Sequence, residues 1–193
     1  MTKSATGREA TSRRINRCAL RLADEHGLDG FTMEDLAEAA GVSRRTLFNY
    51  FPGKVDAVLG HWKGLDAADV ETFRAGGPHH DLMLDLRELV IPILGEKVDD
   101  RTRIAQARRV LRGNPRLLGA VHDRYEAVCA EVIDHIVARE GDGFPRADAQ
   151  IAVAVLAGLL DVSLDAFLND TSGRQFFDHF DHSLAAAARL LGS

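Results

Sequence analysis

Apolar residues recur along this chain at intervals of three and four, and no stretch sustains the alternation of a half-buried strand. Ile15, Ala19 and Leu22 fall on one face of a first helix over residues 9–26, which Gly27 closes as a left-handed stop. Thr32, with Asp35 three residues on, is a variant capping box that starts a short helix over 33–40 carrying Leu36, Ala37 and Ala40. Gly41 breaks it. Ser43 is placed to cap a third helix over 44–50, and Phe51-Pro52-Gly53 turns the chain into a fourth, expected from Lys54 to about Phe73. Further helices are expected over about 81–98, with Pro92 inside, and over 101–112, 115–139, 147–169 and 174–191. The fold class is therefore all-α, with about nine helices.

The run "IAVAVLAGLL" at 151–160 is apolar all round, which requires burial on more than one side. One side can face the chain's own core; the other needs a partner subunit. The last helix shows the same excess, with Phe176 set apart from Phe177, Leu184 and Leu191. Gly158 and the neighbouring alanines permit close approach, so these two helices are the expected interface of a homodimer. The run is ten residues long, whereas a membrane-spanning helix needs about 20. The first 14 residues lack an apolar signal-peptide segment. A soluble, cytoplasmic protein with no membrane partner is expected.

Composition narrows the chemistry. Cys18 and Cys129 are the only cysteines and show no CxxC spacing, so neither a disulfide framework nor a zinc site is expected. No GxSxG, P-loop, GxGxxG or HExxH pattern occurs, and no enzyme, cofactor or metal is expected. His179 and His182, in "DHFDH", have a spacing that a metal site can use; a polar outer face opposite Phe177, Phe180 and Leu184 is the preferred reading. His79 and His80 lie in a linker, "RAGGPHHD". The net charge of −5 is uneven, +2 over residues 1–54 and −7 over the remainder. A basic head on an acidic body suits an anionic partner for the head.

"GVSRRTLFNYF", residues 41–51, gives that partner a form. Two helices joined by a short turn containing Gly41 make a helix-turn-helix, whose second helix enters the DNA major groove. Leu47 and Phe51 turn inward with Leu22, Leu36 and Val42. Arg44 and Arg45 stand at the helix start, where a guanidinium can pair bidentately with guanine O6 and N7.

Residues 27–58, "GLDGFTMEDLAEAAGVSRRTLFNYFPGKVDAV", resemble the DNA-binding region of the TetR family of bacterial transcriptional repressors. The shared features are Gly30-Phe31, the capped second helix, Ala39-Ala40-Gly41-Val42-Ser43, and Thr46-Leu47-Phe48-x-Tyr50-Phe51 followed by Lys54. The resemblance implies a three-helix DNA-binding head, residues 1–53, on a ligand-binding and dimerising body, residues 54–193. It places Ser43, Arg44, Arg45, Thr46 and Asn49 at bases or nearby phosphates, and Tyr50 and Lys54 at phosphates. Thr32 lies near the backbone in the family, with capping as its first role here. Phe48 stands where the family usually has Tyr and cannot donate a hydrogen bond to phosphate. The implied function is a ligand-responsive regulator, a repressor that a small molecule releases from double-stranded operator DNA. The expected effector is lipophilic or amphipathic, and Trp62, Arg108, His122 and Tyr125 are its candidate contacts.

Overall fold

The computed structural model describes residues 2–61, 64–94 and 100–192. Ten α-helices and no strand occur among them: α1 Thr2–His26, α2 Met33–Ala39, α3 Arg44–Tyr50, α4 Lys54–Leu59, α5 Ala67–Arg74, α6 Leu82–Leu94, α7 Arg101–Arg112, α8 Pro115–Glu140, α9 Arg146–Asn169 and α10 Phe176–Leu191. They form two compact units. The first comprises residues 1–62 and 105–125, the second 63–104 and 126–193. This differs from the division at 53/54 expected from sequence, because the first turns of α8 and most of α7 belong with the head.

The first unit closes around Ile15, Ala19, Leu22, Leu36, Leu47, Phe51 and Ala57, joined by Val110 of α7 and Leu117 of α8. Burying a Leu or Phe side chain of this kind contributes about 1.5–3 kcal/mol, so one stripe each from α1, α2 and α3 suffices to fix their mutual angles.

The single fourth helix expected over 54–73 is two helices. α4 stops at Leu59, and Gly60 follows at φ +72°. The cause lies 41 residues upstream. The buried Asn16 amide donates to the carbonyls of Ala57 and Val58, both at 2.8 Å, satisfying acceptors that a helix end leaves orphaned. A Cβ at Gly60 would stand 2.9 Å from that amide nitrogen, so both its φ and its space favour glycine.

The second unit packs α9 along α10, α6 against α9 and α5 against α6, around Phe73, Leu86, Leu89, Ile136, Val153, Leu156, Phe167, Phe176 and Phe180. Inside it lies a buried ion pair. Arg139 donates to Asp85 Oδ2 at 2.6 Å, with side chains 6% and 0% exposed. The Arg139 guanidinium also lies 4.7 Å over the Phe73 ring. Burial pushes the Asp85 carboxyl upward, but hydrogen bonds from the His79 N–H and from Arg139 outweigh it and hold the group below its ordinary value.

The preferred outer-face reading of His179 fails. His179 is 6% exposed and lies against the Phe167 ring, whereas His182 is exposed. The inward face of α10 is Phe176, His179, Phe180 and Ser183, rotated by one position from the stripe read in the sequence. Asp170, in the α9–α10 connection, sits 4.0 Å from His179 Nε2. Hydrogen bonds from the Ser172 hydroxyl and the Arg174 backbone N–H lower its carboxyl from 3.8 to about 2. A folded value below the unfolded one contributes stability above about pH 4, lost as pH falls toward 2. The stability gap between the parent and Asp170→Asn should therefore close over that interval in thermal melts. A gap independent of pH would remove Asp170 from the acid response.

α9 is long and apolar enough, by length and composition, to cross a membrane. Its inward stripe, Ala149, Ala152, Val153, Leu156, Ser163 and Phe167, is buried. The opposite side leaves Ile151 62% and Val162 61% exposed, and Asp161 and Asp165 interrupt it.

Candidate DNA-binding site

The turn between α2 and α3 is built by its own backbone. Gly41 N–H donates to Glu38 O and Val42 N–H to Ala37 O, both at 3.0 Å. Gly41 takes φ +61°, which a side chain resists. The capping box is complete at α2: Asp35 N–H donates to the Thr32 hydroxyl at 3.1 Å, and Thr32 N–H to Asp35 Oδ2 at 2.8 Å. Those hydrogen bonds from Thr32 lower the Asp35 carboxyl. Ser43 caps α3, accepting from Thr46 N–H at 3.1 Å, and its hydroxyl also meets that of Thr46 at 2.8 Å. Thr32, Ser43 and Thr46 thus hold the two helix starts.

With Leu47 fully buried, α3 must turn Arg44, Arg45, Phe48 and Asn49 outward, and all four are exposed. Arg45 has no partner among the described residues. Arg44 does: its Nε lies 3.0 Å from Glu34 Oε1, and its guanidinium 5.6 Å over the Phe48 ring. An exposed pair of this kind is worth about 0–1 kcal/mol, less than a bidentate guanine contact at about 1–3. The Glu34 pair is thus weak enough to leave Arg44 available to a stronger acceptor. Phe48 serves as a platform for Arg44, a role that needs no hydroxyl. Glu34 carried no signal in the sequence, because its link to Arg44 spans the turn.

Lys54 donates to Phe31 O at 2.9 Å and lies 5.2 Å over the Phe31 ring. It ties the start of α4 to the α1–α2 connection and keeps two further N–H donors. Tyr50 is half-buried at the end of α3. Beyond it, a cavity of about 280 Å³ is lined by Tyr50, Phe51, Pro52, Asp56, Gly60, His61 and Arg124. Arg124 of α8 donates to Gly60 O at 3.0 Å and to Asp56 at 3.1 Å, gripping the end of α4.

Of the effector candidates, Trp62 lies outside the described residues. Arg108 is half-buried on α7, while His122 and Tyr125 are exposed on α8, all within the first unit. No group of three or more His, Cys, Asp or Glu among the described residues is placed to hold a metal.

A capped helix-turn-helix with an outward arginine pair on its second helix is the arrangement that DNA-binding motifs present to the major groove. Residues 15–58 match the profile of bacterial regulatory proteins of the tetR family. Over 96% of its length the chain is 26% identical to 99% of the nucleoid occlusion factor SlmA of Photobacterium profundum. It is 40% identical over 47 residues, 24% of each chain, to MftR of Mycobacterium tuberculosis, which is named for transcriptional regulation of mycofactocin biosynthesis. A crystal structure from Mesorhizobium loti, described as a TetR-family transcriptional regulator, shares the fold at TM-score 0.56 with 21% identity, over 98% of both chains. The helix-turn-helix segment, residues 15–58, thus carries the tetR-family DNA-binding pattern, and the chain as a whole shares the fold of that crystal structure.

Proposed function

We propose that this protein is a tetR-family transcriptional regulator, a homodimeric repressor that holds a specific operator through α3 and releases it when a small lipophilic or amphipathic molecule binds. The observation that carries the operator reading is the face of α3: Leu47 locked inward, Arg44, Arg45 and Asn49 outward, on a helix start fixed by Ser43. Arg44 and Arg45 read base edges, while Tyr50 and Lys54 hold phosphates. The dimer covers the outward stripe of α9, Ile151, Gly158 and Val162, and α10 adds Leu190, which is 78% exposed. A two-fold pair also places two recognition helices on half-sites one turn apart, about 34 Å, or a multiple of it.

Effector coupling has support within the first unit. His122 and Tyr125, proposed effector contacts, stand on the same stretch of α8 as Arg124, which grips the end of α4. A molecule that shifts this stretch strains the Gly60 and Asp56 contacts, and α4 begins at the Lys54 bridge beside the DNA face. Coupling of this kind is reciprocal: ligand weakens operator binding by the factor with which operator weakens ligand binding.

The test is selection of binding sites from random duplexes with the full chain and its variants. Arg45→Ala should cost about 1–3 kcal/mol and relax preference at one base pair, whereas Lys54→Ala should weaken every sequence alike. Parent and Arg45→Ala selecting identical sites with identical affinity would refute base readout by Arg45.

A further inference from the structure

The inward stripe of α1 changes character toward its N-terminus. Leu22, Ala19 and Ile15 are core residues; continuing at the same helical spacing reaches Thr11 and then Arg8. The two polar positions lie beyond the end of the core, beside the last turn of α3. There the Arg8 guanidinium lies 5.8 Å over the Tyr50 ring, and Thr11 donates to Gly7 O at 3.0 Å. Gly7, Arg8, Thr11, Asn49 and Tyr50 line an open groove of about 760 Å³.

Every polar side chain of that lining can donate a hydrogen bond, and none is a carboxylate. Arg8 itself is exposed and meets no acidic partner among the described residues. An arginine turned onto an aromatic ring, in a groove without negative charge, is prepared for an anion. The groove is open rather than enclosed, which suits one stretch of a polymer, and it is continuous with Asn49 and Tyr50 on the DNA-facing helix. We infer that this groove seats a phosphate of the operator backbone flanking the major groove read by α3, with Arg8 as its cation and Tyr50 and Asn49 as further donors. The inference rests on the operator reading above and adds α1 to the DNA interface.

The test is operator binding by the full chain as a function of salt, for the parent, Arg8→Ala and Arg8→Lys, on the selected operator and on a random-sequence duplex. Each lost phosphate contact lowers the log–log salt slope by about 0.9, so Arg8→Ala should lower it by about 2 for a dimer. The affinity loss should be alike on both duplexes, the selected sequence unchanged, and the thermal melt of the free protein unmoved. Arg8→Lys should restore the slope, since the charge returns. A slope equal to the parent's, with the parent still binding operator tightly, overturns this inference alone. A parent that binds neither duplex overturns the operator reading itself. A changed preference at one base pair with an unchanged slope makes Arg8 a base reader and also overturns the phosphate assignment.

Discussion

Replacing Asp85 with Ala should lower the unfolding free energy by about 3–5 kcal/mol, a large share of the roughly 5–15 kcal/mol that holds a typical domain folded. The pair it breaks is fully enclosed, with Asp85 1% exposed. Asp85 accepts from Arg139 and from the His79 N–H, both at 2.6 Å. Arg139 also donates to Gly76 O at 3.3 Å, so one guanidinium fastens the α5–α6 connection. Without the Asp85 carboxylate, the Arg139 cation stays beside Phe73 with Nη1 lacking a partner, and only its Nε edge keeps a carboxylate, the partly exposed Glu140 at 3.1 Å. The loss comes from that stranded charge rather than from the value of the pair. Accordingly, Asp85→Leu combined with Arg139→Met should recover most of it, because an apolar pair of similar volume is often neutral or better. Denaturant titrations of the two single variants and the double variant measure this directly. A cost below about 1 kcal/mol for Asp85→Ala would show that Arg139 reaches water when its partner is gone.

The helix-turn-helix was legible because everything that makes it is local. Thr32 and Asp35, Ser43 and Thr46, and Gly41 all act within three or four residues, and the structure places each as its spacing indicated. The end of α4 was not legible. Between Lys54 and Phe73 two glycines, Gly60 and Gly64, and the helix-starting Asp66 hint at a break, but the group that holds the end of α4, Asn16, acts from 41 residues away. The buried Asp85–Arg139 pair is separated by 54 residues and was invisible for the same reason. His179 is a different failure. Its i, i+3, i+4 relation to Phe176 and Phe180 was present in the sequence, but Phe177 and Leu184 offered a rival stripe one position around the helix. Periodicity alone could not choose between two apolar faces; packing against Phe167 did. On α3, Arg44 is exposed at the helix start, yet its tether to Glu34 crosses the turn and no spacing rule announces it.

Gly158→Arg should leave the single chain folded and abolish tight operator binding. The structure makes this substitution a clean probe of the proposed dimer. A Cβ at Gly158 meets nothing within 4 Å, so the arginine side chain has room in the lone chain. Within a helix, exchanging Gly for Arg even raises helix propensity by somewhat under about 1 kcal/mol. In a dimer closed over Ile151, Gly158 and Val162, the same side chain would wedge between the facing helices, a bulk that pairing with Asp161 one turn along does not remove. A monomer then meets only one half-site. Its affinity should fall toward the non-specific level, about a thousandfold or more below that of a specific complex. Sedimentation should show a parent dimer and a variant monomer at micromolar concentration, with equal helical content and melting no lower for the variant than for a parent diluted to monomer. A variant that remains dimeric and binds operator normally would place the interface elsewhere and leave the exposed stripe of α9 without its proposed partner.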